Sequence, residues 1–307
     1  MTSVALQIAR RGTAHWKWAA CATLFASALG LAAPAPSLGL QAILVGVPIA
    51  LLGFPHGALD PLVARVSGAR GSLGAIARFS LAYLAAAGAV LALWALAPAA
   101  GLALFLATSA IHFGLGDVAS GSPRRALRVL AHGSAPIVLP AALHPGDVGT
   151  VFGWLLGADG GAVTAALESL RAPLVALWLA FAIASYAGRL REDRRGVTEL
   201  VVLGLAFVTL PPLLSFAVYF CVWHSVRHLI AVDAVLGDDL RSRALVVGLA
   251  VLAATALLLA AGHAASASGD AIESATRTVF VGLAALTPPH MAVTYAMERR
   301  AISRCWE

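Results

Sequence analysis

An all-α bundle of membrane-spanning helices is the fold class this sequence predicts, and three observations predict it. Hydrophobic residues make up 60% of the 307 and charged residues only 12%, too few charges to keep a water-facing surface dispersed. The mean hydropathy is +0.86. Apolar runs of roughly 18 to 22 residues, each long enough to cross a hydrocarbon layer of ~30 Å as a helix, recur from end to end. No soluble domain remains once they are removed.

Spans are predicted near 17–35, 38–56, 76–97, 101–119, 126–143, 173–188, 198–212, 214–232, 244–262 and 276–297, a polytopic bundle of about eight to ten helices. The chain reads as one transmembrane domain, 1–307, with an additional N-terminal span at 16–36 ahead of a core at 38–297. The Pro211-Pro212 pair reads either as a break between two spans or as the kink of one. The N-terminal run has signal-peptide features, namely basic residues, an apolar stretch and the small-residue sequence LAAPAPS. The next span follows at once, however, and the charge pattern works with the first span retained. The segment 146–171 is the longest outer connection and has room for a helix lying in the interface. Cys21, Cys221 and Cys305 are too few and too scattered for a disulfide framework.

Charge sets the orientation. With a cytoplasmic N-terminus, all of the 21 basic residues except Arg171, Arg227 and Arg277 fall in inner segments, the asymmetry that the positive-inside bias predicts. Both termini are therefore expected in the cytoplasm, in a multi-pass protein of the cell inner membrane. The net charge of +6 then reflects topology and contact with anionic lipid, with no nucleic-acid partner implied.

Within these spans the histidines share a depth. His56 ends the second span, while His112, His132, His224, His228 and His290 lie several residues in from the inner ends of theirs. At ~1.5 Å per residue, all six fall within about a dozen ångströms of one boundary. A lone membrane histidine most often links helices by a hydrogen bond, and that reading holds for His132 and His290 taken singly. His15, His144 and His263, at or beyond span ends, are expected at solvated surfaces. His224 and His228, in WHSVRH, are four apart and so lie on one helical face. With His56 and His112 at matching depth they form a candidate four-histidine site, suited to iron, copper, zinc or nickel and leaving room for a small molecule such as O2.

Other residues support that layer. Asp60, Asp117 and Asp233 follow His56, His112 and His228 by four or five residues, and a ligating imidazole usually gives its second N–H to such a carboxylate; pairing with nearby arginines at the membrane edge is the other reading, and the favoured one for Asp233. Arg227 is rotated off the histidine face and is expected to snorkel or to pair with an aspartate. Pro55, Pro61 and the glycines of GFPHGALDP and IHFGLGD break regular backbone at membrane depth, which is tolerated where it lines a cavity. Phe113, Tyr219, Phe220 and Trp223 flank that cavity in sequence and are the candidate substrate contacts, with ordinary packing as the alternative.

At these motifs the chain resembles a known family. GFPHGALD, SAIHFGLGD, HGSAPIVLP, WHSVRH and TPPHMAVTY, in this order from about residue 50 to residue 295, are similar to those of the Brp/Blh family of bacterial and archaeal membrane proteins. The resemblance implies oxidative cleavage of β-carotene, or a related carotenoid, by O2 to give retinal, often for a microbial rhodopsin. It implies a non-haem Fe(II) cofactor with His56, His112, His224 and His228 as ligands and catalytic centre. His290 occupies a family motif in a supporting role beside Asp60 and Asp117. Two other classes stay in view. Diiron desaturases and hydroxylases need more histidines, with HH pairs that are missing here, and a metal transporter or haem carrier needs polar groups along a path through both leaflets.

Overall fold

The computed structural model describes residues 3–53, 57–67, 73–191, 193–237, 248, 256, 260 and 270–303, and among them regular structure is entirely helical. In chain order the helices are α1 (Ser3–Ala32), α2 (Leu38–Pro48), α3 (Asp60–Ser67), α4 (Leu73–Leu96), α5 (Pro98–Asp117), α6 (Arg125–Leu143), α7 (Pro145–Leu156), α8 (Gly160–Tyr186), α9 (Arg194–Thr209), α10 (Pro212–Ala217), α11 (Val226–Leu236) and α12 (Ala271–Ser303). Two wider π-helical segments interrupt the pattern, Ile49–Gly53 after α2 and Val218–Ser225 between α10 and α11. Among the described residues six stretches are long and apolar enough to span a membrane: Gly74–Leu96, Pro98–Asp117, Arg125–Leu143, Gly160–Tyr186, Pro212–Leu236 and Ala271–Met297. The predicted spans at 17–35, 38–56 and 198–212 overlap α1, α2 with its π segment, and α9, which end at Ala32, Gly53 and Thr209, and residues 54–56 lie outside the described residues. The predicted span 244–262 lies, apart from three isolated residues, outside the described residues.

Local chemistry accounts for the boundaries. Ser37 accepts from the Leu40 N–H and starts α2, and Pro98 and Pro145 open α5 and α7 where a missing N–H costs nothing. Gly157, at φ +63°, closes α7 in the left-handed region. Asp159 then caps α8 by accepting from Gly161 and Ala162. Thus the predicted outer loop is largely helical. Helix α8 runs through Pro173, where the sequence reading begins a span, because a proline is tolerated in a membrane helix whose neighbours satisfy the freed backbone. Pro211-Pro212 proves to be a break. Helix α9 ends at Thr209, Leu210 is extended, and α10 starts at Pro212.

Side-chain size decides how closely the helices pack. Helices α5 and α6 meet backbone to backbone: a Cβ on Gly133 would collide with the Ala110 carbonyl oxygen, and one on Gly114 with that of Val129. Small residues at such crossings replace the hydrophobic drive that lipid removes. Helix α12 packs on α3, α4, α5 and α7, while α1 lies along α9, the second π segment and α11. Phe25, Leu29, Leu81, Leu84, Ile183 and Val208 are exposed on the outside, the surface a lipid-facing bundle presents. Beneath the histidine layer, Leu59 and Val63 of the α2–α3 region pack with Val232, Leu236, Val293 and Met297 of α11 and α12.

The α5–α6 contact makes a sharp prediction. Gly133→Ala should push the two helices apart and cost about 1–3 kcal/mol, read as a lower thermal midpoint in detergent. Gly204→Ala, at a position where a Cβ meets nothing within 4 Å, should leave the midpoint unchanged. Equal midpoints for the two variants would refute the close crossing.

Candidate metal centre

Four helical segments bring imidazoles to one place. His112 comes from α5, His224 from the second π segment, His228 from α11 and His290 from α12. Ring centroids are 4.7 Å apart for His112–His224, 5.1 Å for His112–His290 and 5.0 Å for His228–His290. His112, His224 and His290 are buried. His224 and His228 lie on either side of a π–α junction, and each meets a different partner in a file running His224, His112, His290, His228. His56 lies outside the described residues, immediately beyond the first π segment. Such π segments recur at functional sites because they turn side chains off the regular helical phase.

The donor atoms suit a metal ion. The Nε2 atoms of His112 and His224 face each other at 3.0 Å, close to the ~3.0 Å expected of two imidazoles bound at right angles to one ion at ~2.1 Å. Among the described residues no group of three or more histidine, cysteine, aspartate or glutamate side chains is placed to hold a metal ion. What is preformed is the convergence of rings and the hydrogen bonding behind them. His290 Nδ1 lies 2.8 and 3.0 Å from the two oxygens of Asp60. Tyr83 donates its O–H to the same carboxylate at 2.8 Å. A carboxylate can only accept, so His290 carries its proton on Nδ1 and presents the Nε2 lone pair, the tautomer that a ligand needs.

Several residues stand differently from the sequence reading. His290, expected in support, is one of the four clustered rings, and Asp60 serves it across 230 positions of chain. Asp117, expected behind an imidazole, instead accepts from Tyr219 at 2.7 Å and Arg227 at 2.8 Å, because a guanidinium is the stronger partner for a buried carboxylate. His15 is buried rather than solvated, and the half-buried His144 bonds the Phe207 carbonyl oxygen at 3.0 Å. His132 stays apart from the cluster and joins α6 to α8 through the Tyr186 hydroxyl at 2.7 Å. His263 lies outside the described residues.

An apolar cleft adjoins the rings. It is lined by Gly53, Phe113, Phe220, Leu283, His112 and His290, among others, and continues past Phe105 and Phe216 towards Pro212 and Phe280. Phe113 packs edge-on against His224 at 4.9 Å and Phe220 lies parallel to it at 6.0 Å. A Cβ on Gly53 would fall 2.7 Å from Phe220 Cε1, so that glycine gives the aromatic its space. Of the four aromatics expected against substrate, Phe113 and Phe220 line the cleft. Tyr219 and Trp223 are fully buried elsewhere, since the O–H and N–H of such rings need partners inside a membrane and find them in Asp117 and Thr23. His112, His224 and His228 also border a second cavity of about 360 Å³ with Leu115, Met291 and Tyr295.

Comparison with known proteins settles the family. A family model described as Beta-carotene 15,15'-dioxygenase matches residues 47–298. The chain belongs to this family. It is 32% identical to a probable beta-carotene 15,15'-dioxygenase Blh of Halobacterium salinarum, covering 81% of this chain and 82% of the relative. It is also 32% identical to a beta-carotene 15,15'-dioxygenase of an uncultured marine bacterium, covering 79% and 89%. No solved structure matches.

Beside the rings of this dioxygenase-family chain lies a charged cluster, of which the motifs announce only the pairing of Arg227 with an aspartate. Arg227 pairs with Asp117 at 2.8 Å and with Glu199 of α9 at 2.7 Å. Arg128 pairs with Asp193, which also caps α9 by accepting from the Gly196 N–H. Together with His132 and Tyr186 they border a polar cavity of about 400 Å³. Glu199 escapes sequence reasoning because it stands alone in an apolar run, TELVVLGLAF. That isolation is itself the usable signal, since an acid inside a span needs a named partner. Arg227→Ala leaves two buried carboxylates without their cation and should destabilise the protein by about 3–5 kcal/mol, read as a lost or strongly lowered thermal transition. A transition unchanged from wild type would show the pairing to be idle.

Proposed function

We propose that this chain cleaves the central double bond of β-carotene, or of a related carotenoid, with O2 to give two molecules of all-trans-retinal, at a non-haem Fe(II) centre in a bacterial inner membrane. His112, His224, His228 and His290 would hold the ion, and His56, the remaining sequence candidate, belongs to the proposed set. The observation that carries the reading is the meeting of four imidazoles from four segments beside an apolar cleft, in a chain whose relatives are named for this reaction.

Iron bound there supplies the redox chemistry that lets O2 add across a carbon–carbon double bond. The reaction balances without acid or base: one C=C and one O2 become two C=O groups. The protein's own residues then have three tasks. Asp60 and Tyr83 fix the tautomer and orientation of His290. Phe113 and Phe220 wall the cleft next to His224 and steer the polyene past the rings. The cleft as a whole excludes water and selects one double bond among many alike by its shape, because a hydrocarbon offers no polar group to read. Retinal is released to the bilayer, where a microbial rhodopsin is the acceptor that fits the product.

Expression in a β-carotene-producing bacterium should bleach the cells and yield retinal by chromatography. Carotenoid that persists while the protein is present in the membrane would overturn the reading. His224→Ala, His228→Ala and His290→Ala should each reduce retinal to background, whereas His144→Ala should retain activity within about twofold; equal tolerance at all four would refute the ligand set. Asp60→Asn should lower metal affinity by roughly 10–100-fold, measured by titrating the purified metal-free protein, and unchanged affinity would remove the carboxylate from the centre.

A further inference from the structure

We infer that helix α1, which lies outside the matched residues 47–298, is a positioning element of the metal centre, acting through His15 and Thr23 on the π segment that carries His224. This rests on the metal centre proposed above. A π segment is rare and occurs mostly as a single turn inside an α-helix, so the direction of His224 depends on what holds Val218–Ser225 from outside. Three consecutive residues there are held one by one. His15 Nε2 lies 2.7 Å from the Val222 carbonyl oxygen, which can only accept, so His15 is protonated at Nε2 and donates. The Trp223 indole N–H donates to Thr23 Oγ1 at 2.8 Å, and the Thr23 hydroxyl donates onward to the Ala19 carbonyl oxygen at 2.7 Å. The third residue, His224, faces His112.

The anchor is rigid because both of its sides are buried. Trp223, Thr23 and Ala19 have no exposed surface, and His15 is 7% exposed. The His15 ring stands edge-on to the Trp223 ring at 6.4 Å, and the Arg227 guanidinium lies over the Trp223 ring at 5.1 Å from its centre. Helix α1 is itself fixed to α9. Arg195 donates to the Gly12 carbonyl oxygen at 2.9 Å, and a Cβ on Gly30 would come within 2.6 Å of the Thr209 carbonyl oxygen. A buried imidazole bonded to a backbone carbonyl two residues before a proposed ligand does the work of a supporting hydrogen bond one step removed, transmitted through the backbone.

The test is a titration of purified, metal-free full-length protein with Co(II), following the visible ligand-field absorption, alongside thermal unfolding. Wild type should bind Co(II); if it does not, the metal-centre reading fails before the role of α1 is tested. His15→Leu should weaken Co(II) binding about tenfold or more and shift the absorption band, and His15→Gln, which keeps an N–H donor, should recover most of both. Thr23→Val, nearly equal in size but unable to accept from Trp223, should weaken binding in the same direction, and it carries the test if His15→Leu fails to accumulate in the membrane. Variants that unfold at lower temperature yet bind Co(II) with wild-type affinity and spectrum would overturn the inference and leave α1 a purely structural helix.

Discussion

Polar groups inside a membrane bundle must find partners within the protein, and the architecture around the histidines follows from that constraint. An imidazole carries two nitrogens, and each buried ring here has to settle both. His290 gives one to Asp60 and turns the other inward; His112 and His224 point Nε2 atoms at each other. Two facing imidazole nitrogens satisfy one another only by sharing a single proton, and a cation that accepts both lone pairs resolves the same geometry more completely. This pairing differs from the links that single rings make to a hydroxyl or a carbonyl oxygen, His132 to Tyr186 and His144 to Phe207, where one proton satisfies both partners.

The same constraint explains the charged cluster. Arg227 sits one residue before His228 and three after His224, where an unpaired guanidinium would be very costly. Asp117 and Glu199 each supply a carboxylate, and Tyr219 supports Asp117. Because these carboxylates come from α5 and α9, the ion pairs tie together the helices around the π segment while neutralising the charge. A buried pair of this kind contributes little net stability over apolar packing, yet removing one member is expensive. Its value lies in fixing one arrangement of the helices, and that arrangement places His112 opposite His224.

Much of this was legible in the sequence. Apolar run length located the helices, because a hydrocarbon layer imposes one length on all of them. Histidine depth put His56, His112, His132, His224, His228 and His290 in one layer, because a straight helix converts position in the run into depth, and the four-residue spacing of His224 and His228 singled out that pair. Depth, however, says nothing about rotation or about which helices adjoin. That is why His290 looked like a helix-linking residue until α12 was seen packed against α3 and α5, and why Asp117 was matched to the nearest histidine in sequence when its spatial neighbour was Arg227. The π segment was equally hidden, since no residue type in VYFCVWHS specifies it over an α-turn. Without the π segment there is no reason to ask what holds Val222, so His15, far away in sequence and near a span end, read as surface.

The clustered histidines adjoin cavities of two kinds, one apolar and one that leads to charged residues. His112 borders both the apolar cleft and the cavity shared with His224 and His228, and Gly116, Arg227 and Ala231 border both that cavity and the polar one beyond it. The rings thus stand where a surface of phenylalanine and leucine gives way to one of arginine and carboxylate. A polyene gains by lying along the first surface and loses by displacing water or breaking ion pairs along the second. The ion pairs of Arg227 with Asp117 and Glu199 and of Arg128 with Asp193 thus give the polar side a wall on which a hydrocarbon gains nothing, in contrast to the apolar cleft.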